Sequence, residues 1–159
     1  MIIPTGTETT RLRNAWPMAS ELPPLAPLPS VPAIARAHLG VTCLGWRLGG
    51  LAKDGEAVVS ELATNAIQAS IGPDGNPRYL DGGQMPLVLL RLFSDGITLL
   101  VEVWDQAPGV PFVGEASVDA ESGRGLFLVV ALARQWGWNK VPGGKCVWAA
   151  LRVHPGEIN

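Results

Sequence analysis

The residues of this chain with the clearest chemical use stand in the segment Val58-Val59-Ser60-Glu61-Leu62-Ala63-Thr64-Asn65-Ala66-Ile67-Gln68-Ala69-Ser70. Read as a helix turning about 100° per residue, it puts Glu61, Asn65 and Gln68 on one polar stripe. Val58, Leu62, Ala66 and Ala69 make an adjoining apolar stripe. An acid one turn before an amide, beside a core-facing seam, brings a carboxylate and a carbonyl oxygen together at a pocket wall. Such a pair can coordinate a hard cation such as Mg²⁺, or polarise a hydroxyl or water. A solvated face of an amphipathic helix has the same pattern, so the rest of the chain must separate the two.

Three further positions sit at junctions between loops and regular elements. Asp105 ends a hydrophobic strand, where a carboxylate can accept a hydrogen bond from an exocyclic amine. Gly109, lacking a Cβ, lets the backbone come close to a planar ligand. Gly123 and Gly125 precede an apolar helix, whose N–H groups and positive end can receive phosphate oxygens. Asp-x-x-Pro-Gly is also ordinary turn chemistry, and Gly-x-Gly before a helix is also a tight entry. The order of all of them together carries the argument.

The elements that must position these groups follow from pattern. Residues 1–30 hold Pro4, Pro17, Pro23, Pro24, Pro27 and Pro29, which predicts an extended arm, with a short edge strand within Arg11–Ser20. Val31 to Trp46 reads as a first helix, Pro32 falling in its first turn and Gly49-Gly50 stopping it. Asp54 is the expected N-cap of the helix that runs to about Ser70. Gly72-Pro73-Asp74-Gly75-Asn76-Pro77 is loop, extended by Asp81-Gly82-Gly83. Strands follow at Pro86–Phe93 and Ile97–Trp104, joined by Ser94-Asp95-Gly96. In the second, Leu99, Val101 and Val103 alternate with Leu100, Glu102 and Trp104, which predicts one core face and one partly exposed face. A helix from Leu126 to about Trp136 and a hairpin, Trp136–Val141 and Lys145–Val153, close the chain. Helices covering one face of a mostly antiparallel, mixed sheet make a two-layer α/β (α+β) sandwich.

Composition narrows the classes. The 159 residues suffice for one domain with a core, here divided as the arm 1–30 and a domain 31–159. Net charge is −2 with no Lys/Arg cluster, which disfavours a nucleic-acid partner. No apolar run has the length of a membrane span, and no secretory-type leader opens the chain. Cys43 and Cys146 suggest neither a disulfide framework nor a metal site, so a reduced, cytoplasmic setting is expected.

In their order, these stretches resemble the GHKL (Bergerat-fold) ATPase superfamily, and most closely its bacterial branch of histidine-kinase-like ATPases related to anti-sigma-factor serine kinases. Ser60-Glu61-Leu62-Ala63-Thr64-Asn65-Ala66 looks like the family's N box. Val101-Glu102-Val103-Trp104-Asp105-Gln106-Ala107-Pro108-Gly109 looks like its first glycine box, and Glu121-Ser122-Gly123-Arg124-Gly125-Leu126 like its second. Trp136-Gly137-Trp138 and Gly143-Gly144-Lys145-Cys146-Val147-Trp148 look like the closing strands. The resemblance spans roughly Val31 to Val153.

The resemblance implies ATP and Mg²⁺ as ligands. Asn65 would ligate the Mg²⁺ that bridges the phosphates, and Glu61 would be the base that activates a water or an acceptor hydroxyl. Asp105 would take the adenine amino group, Gly109 would pack beside the base, and Gly123, Arg124, Gly125 and Leu126 would hold the phosphates. Arg124 can add a charge to the β or γ phosphate or simply face solvent. Phe112–Ser122 corresponds to a short ATP lid. Three positions depart from the pattern. Ala107 replaces a glycine, Gln68 replaces a basic residue, and Cys146 stands where a threonine hydroxyl usually helps read adenine. A thiol is the poorer donor.

The implied activity is that of an ATP-dependent serine/threonine kinase that holds a sigma factor and phosphorylates an anti-anti-sigma (STAS-type) protein, with homodimerisation as in that branch. The rival is a module that uses nucleotide, or none, only to control its grip on a protein. Histidine-kinase chemistry fits poorly, because His38 belongs to the first helix and no phosphoacceptor hairpin precedes the domain. Trp136, Trp138 and Trp148 are expected on the sheet, and Trp16 and Trp46 over the helical layer or at an interface.

Overall fold

The computed structural model describes residues 16–109, 111 and 121–154, with side chains between 121 and 125 left aside. Strand β1 (Met18–Glu21) is followed by helices α1 (Val31–Gly45) and α2 (Ala52–Ser70). Strands β2 (Val88–Ser94) and β3 (Thr98–Asp105), helix α3 (Glu121–Leu132), and strands β4 (Gln135–Val141) and β5 (Gly144–Arg152) complete it. The five strands lie in the order β1-β2-β3-β5-β4. Each pairing is antiparallel, so the mixed sheet expected from sequence is an antiparallel one among the described residues. Every neighbour is reached by a hairpin or by a return that reverses direction, and none by a parallel crossover.

Alternation along the strands sorts the core. Leu99, Val101 and Val103 of β3 and Val147, Ala149 and Leu151 of β5 face the helices, where they meet Leu39, Leu62 and Leu126. Each such leucine, fully buried, contributes about 1.5–3 kcal/mol. Leu100, Cys146, Trp148 and Ala150 point the other way. That outer face was expected to be partly exposed, yet Leu100 and Glu102 are buried. Trp16, Phe93, Trp104 and Trp148 shield it with rings drawn from β2, β3, β5 and the residues before β1. Trp16 therefore covers the outer sheet face rather than the helical layer, whereas Trp46, Trp136 and Trp138 pack against the helix-side core.

The described part of the proline-rich arm is joined to this sheet. Met18 to Glu21 pair with Ser94 to Arg91, and Leu25 bridges Val88. The edge strand thus lies at the end of the stretch that suggested it. Residues 1–15 and 155–159 fall outside the described residues.

Helix α1 ends one residue before expectation, with Trp46 as its C-cap. The Leu48 N–H donates to the Cys43 carbonyl and the Arg47 N–H to that of Leu44. This is a Schellman closure in which Arg47, at φ 58°, takes the left-handed position usually given to glycine. Helix α2 begins before Asp54: Gly49–Leu51 form a 3-10 turn that runs straight into it, so Leu51 is its N-cap. Asp54 lies in the first turn, where its charge still complements the helix's positive end. The α3 register differs more. The helix starts at Glu121 and ends at Leu132, because Trp136 pairs with Ala149 as a strand residue.

Candidate functional site

Helix α2 is the middle helix of its layer, packed on α1 along one flank and α3 along the other. Its apolar face is therefore wider than the predicted stripe: Val59, Ala63, Ile67 and Ser70 are buried along with Val58, Leu62 and Ala66. Arg36 of α1 donates to the Ser60 hydroxyl at 2.7 Å, which fixes the α1 flank. At about 100° per residue, Glu61 and Asn65 then lie on the opposite flank, toward α3. The polar stripe is real, with Gln68 its exposed end and Asn65 its half-buried edge.

The direction of each element decides which end of the sandwich holds what. Gly55, near the start of α2, stands against Leu39 and Leu99, at the start of β3. Helix α2 thus runs alongside β3, and ten residues on, about 15 Å away, Asn65 nears the Asp105 end. Helix α3 runs oppositely. Its last residue, Leu132, shares a cavity with Leu51, Ile97 and Leu151, so its N-terminal turn lies at the Asp105 end. By their directions α2, β3 and α3 point Asn65, Asp105 and the start of α3 toward the same end of the sandwich.

Asn65 carries a buried amide nitrogen, Nδ2, with no hydrogen-bond partner among the described residues. An orphaned buried donor costs about 1–3 kcal/mol, and sites that bind ligands are where such costs are tolerated. The carboxylate of Glu61, half-buried beside it, has no hydrogen-bond or ion-pair partner among the described residues.

Asp105 is 4% exposed and far from free. Its Oδ1 accepts from Lys145 Nζ at 2.7 Å and from the Ala107 N–H at 3.0 Å. Lys145, 5% exposed, faces it because the two residues are direct partners in the β3–β5 ladder. Burial pushes the Asp105 carboxyl above its ordinary range, and Lys145 and the Ala107 N–H pull it back part of the way. Gly144, next to Lys145, is required here, since a Cβ on it would overlap the Asp105 carbonyl oxygen. The Gln106 side-chain oxygen accepts the Leu87 N–H at 2.8 Å and closes the end of β2. Gly109 has φ 100°, a backbone conformation that suits glycine, and no described residue lies within contact of where its Cβ would be.

Two predicted site residues are placed differently. Cys146 pairs with Trp104, so its side chain is on the outer face with Trp148 and Trp16, opposite to that of Asp105. Burial beside Glu102 pushes its thiol far up, and the buried thiol of Cys43 is raised to about 11. Leu126 is 1% exposed, its side chain in the core. Because α3 begins at Glu121, the amides without helical partners fall in the turn that includes Gly123 and Arg124, and those of Gly125 and Leu126 lie in the next turn. Most of the expected lid, residues 112–120, lies outside the described residues. Lys145 is a site residue that sequence reasoning does not single out: its place in the stretch Gly143–Trp148 is visible, its pairing with Asp105 is not.

A cavity of about 530 Å³ lies at the far end, near Asp54, Arg134, Arg152 and His154. It contains none of the orphaned or tightly paired groups above. His38, on α1, bonds the Ser20 hydroxyl at 3.0 Å and so ties the helix to β1. His154 is exposed. Among the described residues no cluster of His, Cys, Asp or Glu could hold a metal by itself, and no helix is long and apolar enough to cross a membrane.

No protein-family model matches this chain, and no curated protein matches it either.

Proposed function

We propose that this chain is an ATP·Mg²⁺-binding regulatory protein with a Bergerat-type fold, acting as a serine/threonine kinase of the anti-sigma-factor kind in the cytoplasm. What supports the reading is the run of the elements: α2 and β3 carry Asn65 and the buried Asp105 carboxylate toward the end of the sandwich at which α3 begins, and Asn65 has a buried amide nitrogen without a partner among the described residues. That is the set an adenine nucleotide needs, with a base-reading acid at one side and phosphate-receiving amides at the other. The residues also fit a magnesium ion. Mg²⁺ is commonly held by few protein groups, with phosphates and waters completing its shell, and the Asn65 Oδ1 would supply one protein oxygen. When bound, the ion would neutralise phosphate charge.

The chain's own residues would do the remaining work. Asp105 would accept a hydrogen bond from the 6-amino group. The first amides of α3, around Gly123 and Arg124, would receive phosphate oxygens. Glu61 would take the proton of a serine hydroxyl on a docked partner as its oxygen attacks the γ-phosphorus and ADP departs. Phosphoryl transfer asks mainly for positioning and charge neutralisation, which this arrangement supplies. The product phosphoserine carries about two negative charges and would weaken docking of an anti-anti-sigma partner.

A second reading, a nucleotide-controlled or nucleotide-free protein-binding module, is favoured by two observations. Lys145 already occupies one Asp105 oxygen, and Cys146 is turned away from it. Glu61→Gln separates the two. A kinase keeps ATP but loses roughly 10²–10⁴-fold in phosphate transfer to a serine-bearing partner. A pure binder keeps its partner affinity unchanged and shows no transfer to lose.

A further inference from the structure

The Asp105 carboxylate offers two oxygens, and the fold has already committed one. Oδ1 takes two donors, the Lys145 ammonium at 2.7 Å and the Ala107 N–H at 3.0 Å, and no described donor reaches Oδ2. The same ammonium reaches back to the Ala107 carbonyl at 3.4 Å, so it ties β5 to the turn that follows Asp105. A lysine this buried is rare unless paired, and here its charge is matched by a single carboxylate.

We propose that Lys145 is a positioning and selectivity residue of the nucleotide site: by holding Asp105 ionised through Oδ1, it leaves Oδ2 as an acceptor-only group that selects a 6-amino purine over a 6-oxo purine. This rests on the proposed nucleotide reading. The chemistry is direct. An ionised carboxylate accepts from an exocyclic amine, and it repels the carbonyl that inosine and guanine nucleotides present at the same place. A protonated carboxyl can donate to that carbonyl, so the choice between purines depends on the charge of Asp105. Burial drives the carboxyl toward the protonated form, and Lys145 is the charge that opposes it. Lys145 does not touch the base in this account; it acts through Asp105.

The test is calorimetric titration of the full chain with ATP and with ITP, each with Mg²⁺, for the unchanged protein and for Lys145→Met and Lys145→Arg, with thermal melts confirming that each is folded. The unchanged protein is expected to favour ATP by about tenfold or more, since a site built to pair an N–H discriminates against its absence. Lys145→Met should bring the ratio to about one, with the loss falling on ATP, and Lys145→Arg should restore most of it. A folded Lys145→Met protein with an unchanged ATP:ITP ratio overturns the proposal. Should Lys145→Met fail to fold, Lys145→Gln, which keeps an N–H donor without the charge, gives the same reading, and an unchanged ratio there overturns it equally. Unchanged protein that binds ATP and ITP alike also overturns it while leaving the nucleotide site standing. Unchanged protein that binds neither overturns the nucleotide reading itself.

Discussion

Arg91 and Glu102 oppose each other across the β2–β3 ladder, and the guanidinium gives two N–H groups, from Nε and Nη2, to a single Glu102 oxygen at 3.0 and 2.9 Å. Trp104 Nε1 donates to the same oxygen at 3.0 Å, and the guanidinium carbon lies 5.3 Å and 4.9 Å from the Phe93 and Trp104 ring centres. Glu102 is 1% exposed, so its charge depends on these partners. Arg91→Met should cost about 3–5 kcal/mol by leaving that carboxylate buried and unpaired. Arg91→Met with Glu102→Leu should recover most of the loss. Urea unfolding of the single and double variants measures both, and equal stabilities for the two would contradict the assignment.

His38 connects pH to the fold. Burial holds its imidazole below the ordinary value of 6.5, so between the two values the unfolded chain binds more protons than the native one. This part of the stability is complete above 6.5 and declines as the pH falls below it. Melting temperature should therefore drop on acidification from about pH 7 toward 5, and His38→Gln should flatten the profile over that range. A variant profile as steep as the parent's would place the titration elsewhere.

Asn65 should show the opposite signs for stability and function. Its buried Nδ2 has no partner among the described residues, so Asn65→Ala removes an unsatisfied group at the expense of little packing. Stability is expected to stay level or rise by up to about 1 kcal/mol, whereas a structural asparagine would lose stability on truncation. Chemical denaturation of the two proteins without nucleotide reads the difference.

The fold was largely legible. Ser94-Asp95-Gly96 marks the turn between β2 and β3, and the alternation from Leu99 to Trp104 sorts β3 into its two faces. The stripe that holds Glu61 and Asn65 follows from helical period alone. What escaped depends on pairing between distant segments. Lys145 meets Asp105 only because β5 lies beside β3 in that register, 40 positions away in sequence. The same register turns Cys146 outward. The outer face is buried by aromatic side chains from separate strands, which no single strand's alternation reveals. The strand expected from Trp136 to Val141 is there as β4, whereas the helix expected to run up to Trp136 stops at Leu132.

The central claim is that one end of the sandwich binds ATP through Asn65 and Mg²⁺. Calorimetric titration of the purified chain with ATP tests it, run with Mg²⁺, without metal, and with Asn65→Ala. The account predicts saturable binding in the micromolar range that needs the metal and is lost in a fully folded Asn65→Ala protein. No heat with any adenine nucleotide from a folded sample, or binding indifferent to both Mg²⁺ and Asn65, would contradict it.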